Sequence, residues 1–152
     1  MAVTVYGVIG DGGVLGGLRH PTMHPVQPLL YGLGLCHVRT QVAMDEPLAE
    51  LPDVLPRLTE SVLGYVAVLS EQTPVIYVAC DGDEESAAGW RDGSLELRPL
   101  ASPCVVQRTL FRRRETGAID AALGWLGVRR ARGRDRLKAV GLAERQAWEP
   151  AT

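Results

Sequence analysis

The pattern of hydrophobic and polar positions predicts strands at both ends of the first third of the chain. Ala2–Ile9 is rich in β-branched residues and is followed by glycines, which indicates a strand that ends in a turn. Leu35–Ala43 alternates with a period of two, which is typical of a strand. We expect Cys36, Val38 and Val42 to form its core-facing side.

Apolar runs in the middle of the chain predict two β-hairpins. The runs Leu63–Leu69 and Val75–Cys80 flank a short polar segment, and they are continuous rather than alternating, which favours a central hairpin that is buried on both faces. Ala87–Trp90 and Ser94–Arg98 flank an Asp-Gly dipeptide, which favours a tight turn. Val105–Phe111 is predicted to form a further strand.

Helical periodicity appears before the central hairpin and near the C-terminus. Asp53 is a candidate N-cap for an amphipathic helix that continues towards Val62, and Thr116 for a helix over Ala118–Val128. Asp135–Glu144 is predicted to form a last short helix. The order of elements predicts one α+β domain over residues 1–152, with about five or six strands in a mostly antiparallel sheet, one helix before the central hairpin and two C-terminal helices.

Residues 10–34 are punctuated by glycine and proline and are predicted to form an ordered, irregular connection. The glycine spacing after the first strand is similar to that of dinucleotide-binding turns. However, glycines and Pro21 interrupt the helix that such a site needs, and Asp11 would repel a phosphate. His20, His24 and Tyr31 lie in the same segment. Long ordered connections often carry function.

Charge is distributed unevenly along a chain whose net charge is only −2. Residues 1–104 contain 5 basic and 13 acidic side chains, a balance of −8, while residues 105–152 contain 11 basic and 5 acidic ones, a balance of +6. We expect two surface regions of opposite sign, either of which would steer a charged partner. The acidic region is the predicted partner-binding surface, and its candidate residues are Asp81, Asp83, Glu84, Glu85 and Trp90.

The arginine-rich C-terminal quarter raises the alternative of nucleic-acid binding through phosphate contacts. Its candidate residues are Arg112, Arg113, Arg129, Arg130 and Arg132. Aromatic side chains for base stacking are not interleaved with these arginines, and the rest of the chain is anionic. Both observations disfavour nucleic acid as the partner.

The three cysteines, Cys36, Cys80 and Cys104, are widely spaced and odd in number, which predicts reduced thiols rather than a disulfide framework. The N-terminus lacks the pattern of a signal peptide, and no apolar run is long enough to cross a bilayer. The scarcity of Lys, Phe and Asn suggests a GC-rich bacterial genome. We therefore expect a bacterial, cytoplasmic protein without a membrane partner.

No pair of nucleophile and base emerges from the sequence, and we assign no catalytic residue, metal ligand or cofactor. This favours a binding protein over an enzyme. The leading hypothesis is a protein-binding module, for example an immunity-type neutraliser of a toxin or enzyme, and a homodimer is an additional arrangement. The alternative is a small enzyme, or a small-molecule or metal-binding protein, that uses residues 10–34. A concave pocket holding at least two of five residues would favour this alternative: His20, His24, His37, Asp81 and Asp83.

Overall fold

The computed structural model describes residues 5–39, 58–81, 84–103 and 117–128. The strands of this part are β1 (Val5–Asp11), β2 (Gln27–Pro28), β3 (Leu33–His37), β4 (Val75–Asp81), β5 (Glu84–Arg91) and β6 (Ser94–Pro103). Its α-helices are α1 (Gly12–Gly17), α2 (Glu60–Ser70) and α3 (Ala118–Leu126), and Leu30–Gly32 forms a 3₁₀ turn. The strands form one antiparallel sheet in the order β2-β3-β1-β4-β5-β6, which confirms the predicted α+β class and strand number.

The central strands β1 and β4 are buried on both faces of the sheet. Val8 and Tyr77 pair across them and pack on one face, together with α1 and α2. Ile9 and Ile76 pair at the next position and pack on the other face, against α3. Successive side chains of a strand point to opposite faces, so an apolar run without alternation is what a strand between two helical layers requires.

The segment Leu63–Leu69 is helical, so the predicted central hairpin between it and Val75–Cys80 is wrong. Helix α2 starts after Thr59, whose hydroxyl oxygen accepts the backbone N–H of Val62 at 3.2 Å as an N-cap. The buried positions follow the helical spacing i, i+3, i+4, i+7 and are Val62, Tyr65, Val66 and Leu69. Val75–Cys80 is a strand as predicted, but its partners are β1 and β5.

The second predicted hairpin is confirmed by strands β5 and β6. Arg91 pairs with Ser94 across a two-residue loop of Asp92 and Gly93. Both loop residues have positive φ, 53° and 82°, as a type I′ turn requires. The Asp-Gly dipeptide is favoured there because glycine has no Cβ to clash and aspartate tolerates the left-handed region.

The helix predicted over Ala118–Val128 is confirmed as α3, although it ends two residues earlier. Gly117 is its N-cap and provides no side chain, so the sheet supplies the acceptors for its first N–H groups. Glu85 Oε1 accepts from the N–H of Ile119 at 3.1 Å, and Ser102 Oγ accepts from that of Ala118 at 2.8 Å. The buried carboxylate of Glu85 therefore anchors α3 to the sheet.

Several predicted elements lie outside the described residues. These are the N-terminal part of the helix assigned to Asp53, the strand Val105–Phe111 and the helix Asp135–Glu144. The N-cap predicted at Thr116 is wrong, because Gly117 is the N-cap of α3. Among the helices that the structure describes, none has the length and apolar character needed to cross a bilayer.

The connection over residues 10–34 is more regular than expected, because it contains α1. Asp11 caps this helix: its Oδ1 accepts from the N–H groups of Gly13 at 2.9 Å and Val14 at 3.1 Å. Helix α1 packs closely on β3, where a Cβ on Gly34 would lie 3.1 Å from the Cα of Gly12 and 2.5 Å from Val26 Cγ2. Only glycine allows this approach.

Candidate functional site

A cavity of about 760 Å³ lies among α1, the connection that follows it, the end of β3, and α2. Its apolar lining includes Leu15, Leu18, Met23 and Val26. Its basic lining consists, among the described residues, of Arg19, His20, His24 and Arg39. The cavity therefore combines an apolar interior with a group of hydrogen-bond donors.

A short antiparallel ladder places His24 and Arg39 at the cavity. Met23 and Val38 form a bridge, His24 N donates to the carbonyl of His37 at 2.8 Å, and Arg39 N donates to that of Thr22 at 2.6 Å. Arg39 Nε also donates to the carbonyl of Met23 at 3.1 Å, which ties the guanidinium to the connection. The connection and β3 thus hold the two basic side chains in a defined relative position.

Tyr65 of α2 and His20 form a second wall of the cavity. The Tyr65 hydroxyl donates to the carbonyl of Leu18 at 2.6 Å, and its ring lies 5.4 Å from that of His20 between centroids. His20 Nδ1 accepts the backbone N–H of Thr22 at 3.2 Å and lies 2.6 Å from its hydroxyl. In the neutral ring the proton is therefore on Nε2, which is left as a donor.

Cys36 lies at the same wall, but its thiol is not activated as a nucleophile. Burial raises the pKa of its thiol to about 11, although a hydrogen bond with Tyr65 acts in the opposite direction. Burial, followed by the neighbouring Cys36, also raises the pKa of the Tyr65 hydroxyl. Both groups are protonated near neutral pH, and the reactive form of cysteine is the thiolate.

The two histidines near the end of β3 are both neutral at neutral pH. Burial, and then the positive charge of Arg39, lower the pKa of His24. Burial, and then His24, lower the pKa of His37 to about 4. His37 Nε2 lies 3.3 Å from Gln27 Oε1, and the residue is almost completely buried.

The glycine-rich turn does not offer a phosphate site. Two objections were predicted, an interrupted helix and the charge of Asp11. The first is only partly right, because α1 follows the strand directly but ends after six residues at Gly17. The effective objection is Asp11, whose carboxylate occupies the N–H groups of Gly13 and Val14 that a phosphate would need.

The predicted acidic surface is only partly what the sequence suggested. Glu84 is exposed at the start of β5. Glu85 is fully buried and Trp90 is 2% exposed, so neither side chain is available to a docking partner. Asp83 and the side chain of Asp81 lie outside the described residues. Burial of Glu85 follows from its role at the N-terminus of α3.

The candidate nucleic-acid residues all lie outside the described residues, so the predicted division of surface charge stays a prediction; they are Arg112, Arg113, Arg129, Arg130 and Arg132. In the described ranges, no three His, Cys, Asp or Glu side chains converge as metal ligands would.

The prediction that all cysteines are reduced is wrong for Cys80. Cys36 is a free, buried thiol, as expected. Cys80 is disulfide-bonded, and its partner lies outside the described residues. The wide spacing of cysteines in the sequence was a poor guide, because residues that are distant in the chain can be close in the fold.

Sequence reasoning found His20 and His24 but missed Arg39 and Tyr65. The residue types carried no signal by themselves, since a single arginine on a strand and a tyrosine on a helix are ordinary. Their role arises only because β3 and α2 both meet the connection. No protein-family model matches the chain, and no curated protein or solved structure shows significant similarity to it.

Proposed function

We propose that this protein binds a small organic molecule in the cavity between α1, the end of β3 and α2. The observation that carries the proposal is a concave site that contains both His20 and His24. This meets the criterion that separates the small-molecule alternative from the protein-binding hypothesis. The volume of about 760 Å³ falls within the range of roughly 300–1,000 Å³ that is common for small-ligand sites.

The composition of the walls also supports ligand binding. Leu18 and Val26 line the cavity and are only partly buried, so they provide apolar contact area. His20 is held in place by Thr22 and Arg39 by Met23, so a ligand meets donors that are already oriented. Preorganised polar groups reduce the entropy that binding costs.

The proposal is tested by a substitution on α1 whose side chain would fill the cavity. Gly16 lines the cavity, whereas the adjacent Gly17 does not, and a Cβ on Gly17 would meet no atom within 4 Å. We expect Gly16→Phe to block the site and Gly17→Phe to serve as its matched control in the same helix. Binding is measured by screening a fragment library through ¹H–¹⁵N chemical shifts.

We expect fragments to perturb the amides of Leu15–Val26 and Cys36 in the natural sequence and in Gly17→Phe. These perturbations should disappear in Gly16→Phe. A screen without fragments at the cavity, or with unchanged perturbations in Gly16→Phe, would contradict the proposal.

The immunity-type, protein-binding role is the less favoured proposal, because Glu85 and Trp90 are buried. It predicts that Glu84→Lys weakens capture of a partner from the native host. The nucleic-acid proposal depends on the C-terminal arginines and predicts retention on DNA or RNA with a steep salt dependence.

We also propose a cytoplasmic location, as the sequence predicts. The disulfide at Cys80 is an observation against this location, because disulfides persist mainly in oxidising compartments. Fractionation of the host cell determines where the protein is located. Alkylation of the thiols before lysis determines whether Cys80 is disulfide-bonded in the cell.

A further inference from the structure

We propose that the ligand of the cavity is a small organic anion, with a carboxylate or phosphate head held by Arg39 and an apolar body directed towards Leu18 and Val26. This inference rests on the proposed small-molecule function and specifies the chemistry of its ligand.

The charge of the cavity lining favours an anion over a cation. Among the lining residues that the structure describes, the ionisable groups other than Cys36 and Tyr65 are all basic. No aspartate or glutamate belongs to this described lining. Asp11, at the start of the neighbouring α1, directs its carboxylate to the backbone of that helix. A cationic ligand would therefore lack a counter-charge, whereas an anionic one would find several donors.

Arg39 is oriented to bind the head of such an anion. Its Nε is used by the carbonyl of Met23, and this bond orients the guanidinium while its two Nη groups carry four further N–H donors. Arginine binds carboxylate and phosphate through two parallel hydrogen bonds, a geometry that suits these Nη groups. The Nε2–H of His20 provides an additional donor.

Exposure decreases from the charged to the apolar part of the cavity lining. Arg39 is exposed, which places its charge at the mouth, while Leu18 and Val26 are partly buried and leave apolar surface accessible to a ligand. A charged head at the mouth keeps contact with water, and an apolar body inside removes hydrophobic surface from water. A simple inorganic anion would use only half of this site.

The experiment compares probes that share an eight-carbon chain and differ in the head. Octanoate, octyl phosphate, octanol and octylamine are titrated by calorimetry and by ¹H–¹⁵N chemical shifts, with acetate as the head without the chain. The variant is Arg39→Gln. The matched control is Arg98→Gln, which removes the same charge from an exposed position on β6, at the opposite edge of the sheet.

We expect octanoate or octyl phosphate to bind at least about tenfold more tightly than octanol, which corresponds to about 1.4 kcal/mol. Arg39→Gln should reduce that preference to less than about threefold, and Arg98→Gln should preserve it. The comparison of octanoate with octyl phosphate identifies the preferred head.

Equal binding of octanol and the anions, or preference for octylamine, would overturn the anion inference while leaving small-molecule binding intact. An anion preference that survives Arg39→Gln would also overturn it. If no probe, acetate included, perturbs the cavity and the fragment screen is also empty, the proposed function itself fails.

Discussion

At the scale of single residues, the most informative side chain is His37. It is 3% exposed, although histidine is ionisable, and its pKa is lowered to about 4 mainly by burial. Its ring lies against the side chain of Gln27 and close to His24. A buried neutral histidine makes the stability of the fold depend on pH, because the unfolded chain binds its proton more readily.

We therefore predict that the free energy of unfolding decreases as the pH falls from about 6.5 towards 4. Between these values an unfolded histidine is protonated and the folded His37 is not, so protons favour the unfolded state. The contribution of His37 should be about 2 kcal/mol between pH 7 and pH 4.5. Above pH 7 it should be constant.

Urea unfolding at several pH values measures this effect, and His37→Gln should have a shallower pH dependence than the natural sequence. His20→Gln, which changes a half-buried ring, is the control for the loss of a histidine as such. Identical pH slopes for His37→Gln and the natural sequence would contradict the prediction.

At the scale of elements, α2 explains why the central hairpin was predicted wrongly. Short apolar runs are ambiguous between a buried strand and a helix. The decisive signals were the cap at Thr59, the acidic Glu60 in the first turn, and the spacing of Val62, Tyr65, Val66 and Leu69. The prediction assigned Val62 to the preceding helix and so separated it from Tyr65, Val66 and Leu69, which belong to the same helical stripe.

Two valines of α2 distinguish the observed helix from the predicted strand. In a strand, Val66 and Val68 would share one face, but in α2 Val66 is fully buried and Val68 is 50% exposed. We predict that Val66→Ala costs about 2 kcal/mol of stability. Val68→Ala should change it by less than about 0.5 kcal/mol, since alanine also favours the helix. Equal losses in denaturant melts would contradict the helical assignment.

The junction between α3 and the sheet permits a second prediction at this scale. Glu85→Ala removes the acceptor for the N–H of Ile119 in a buried site and should cost about 1–3 kcal/mol. Glu85→Gln retains an acceptor oxygen and should cost less. Glu84→Ala, one residue away and exposed, should stay within about 0.5 kcal/mol. A loss at Glu84 equal to that at Glu85 would show that α3 is not held in this way.

At the scale of the whole molecule, the sheet separates two layers of helices. Helices α1 and α2 cover one face and α3 covers the other, so β1 and β4 have no solvent-facing side. The cavity lies on the first side, whereas the Glu85 junction and Cys80 belong to the second. We therefore expect changes at the disulfide to leave ligand binding largely unaffected.

The state of the cysteines is a further property of the whole molecule that can be measured. With three cysteines and one disulfide at Cys80, we predict an intact mass two hydrogens below that of the reduced chain. A single thiol should react in denaturant, and Cys36 should react slowly in the native protein because its pKa is raised to about 11. Three reactive thiols in a sample purified without reductant would contradict the disulfide.

Local signals in the sequence by themselves determined the α+β class, the Asp92-Gly93 hairpin, the strand Val75–Cys80 and the presence of a helix at α3. Turn chemistry and β-branched composition act between neighbours, so they can be identified without knowing the fold. The histidines of the connection were identified in the same way, as residues whose chemistry needs an explanation.

Only the tertiary structure decided that Glu85 is buried beneath α3, and that Arg39 and Tyr65 meet His20 around one cavity. Each depends on contacts between segments far apart in the chain, such as Tyr65 with Leu18 and Glu85 with Ile119. Burial, pKa and access to a ligand are properties of these contacts. No local pattern specifies them, because the partner that buries or exposes a side chain lies elsewhere in the sequence.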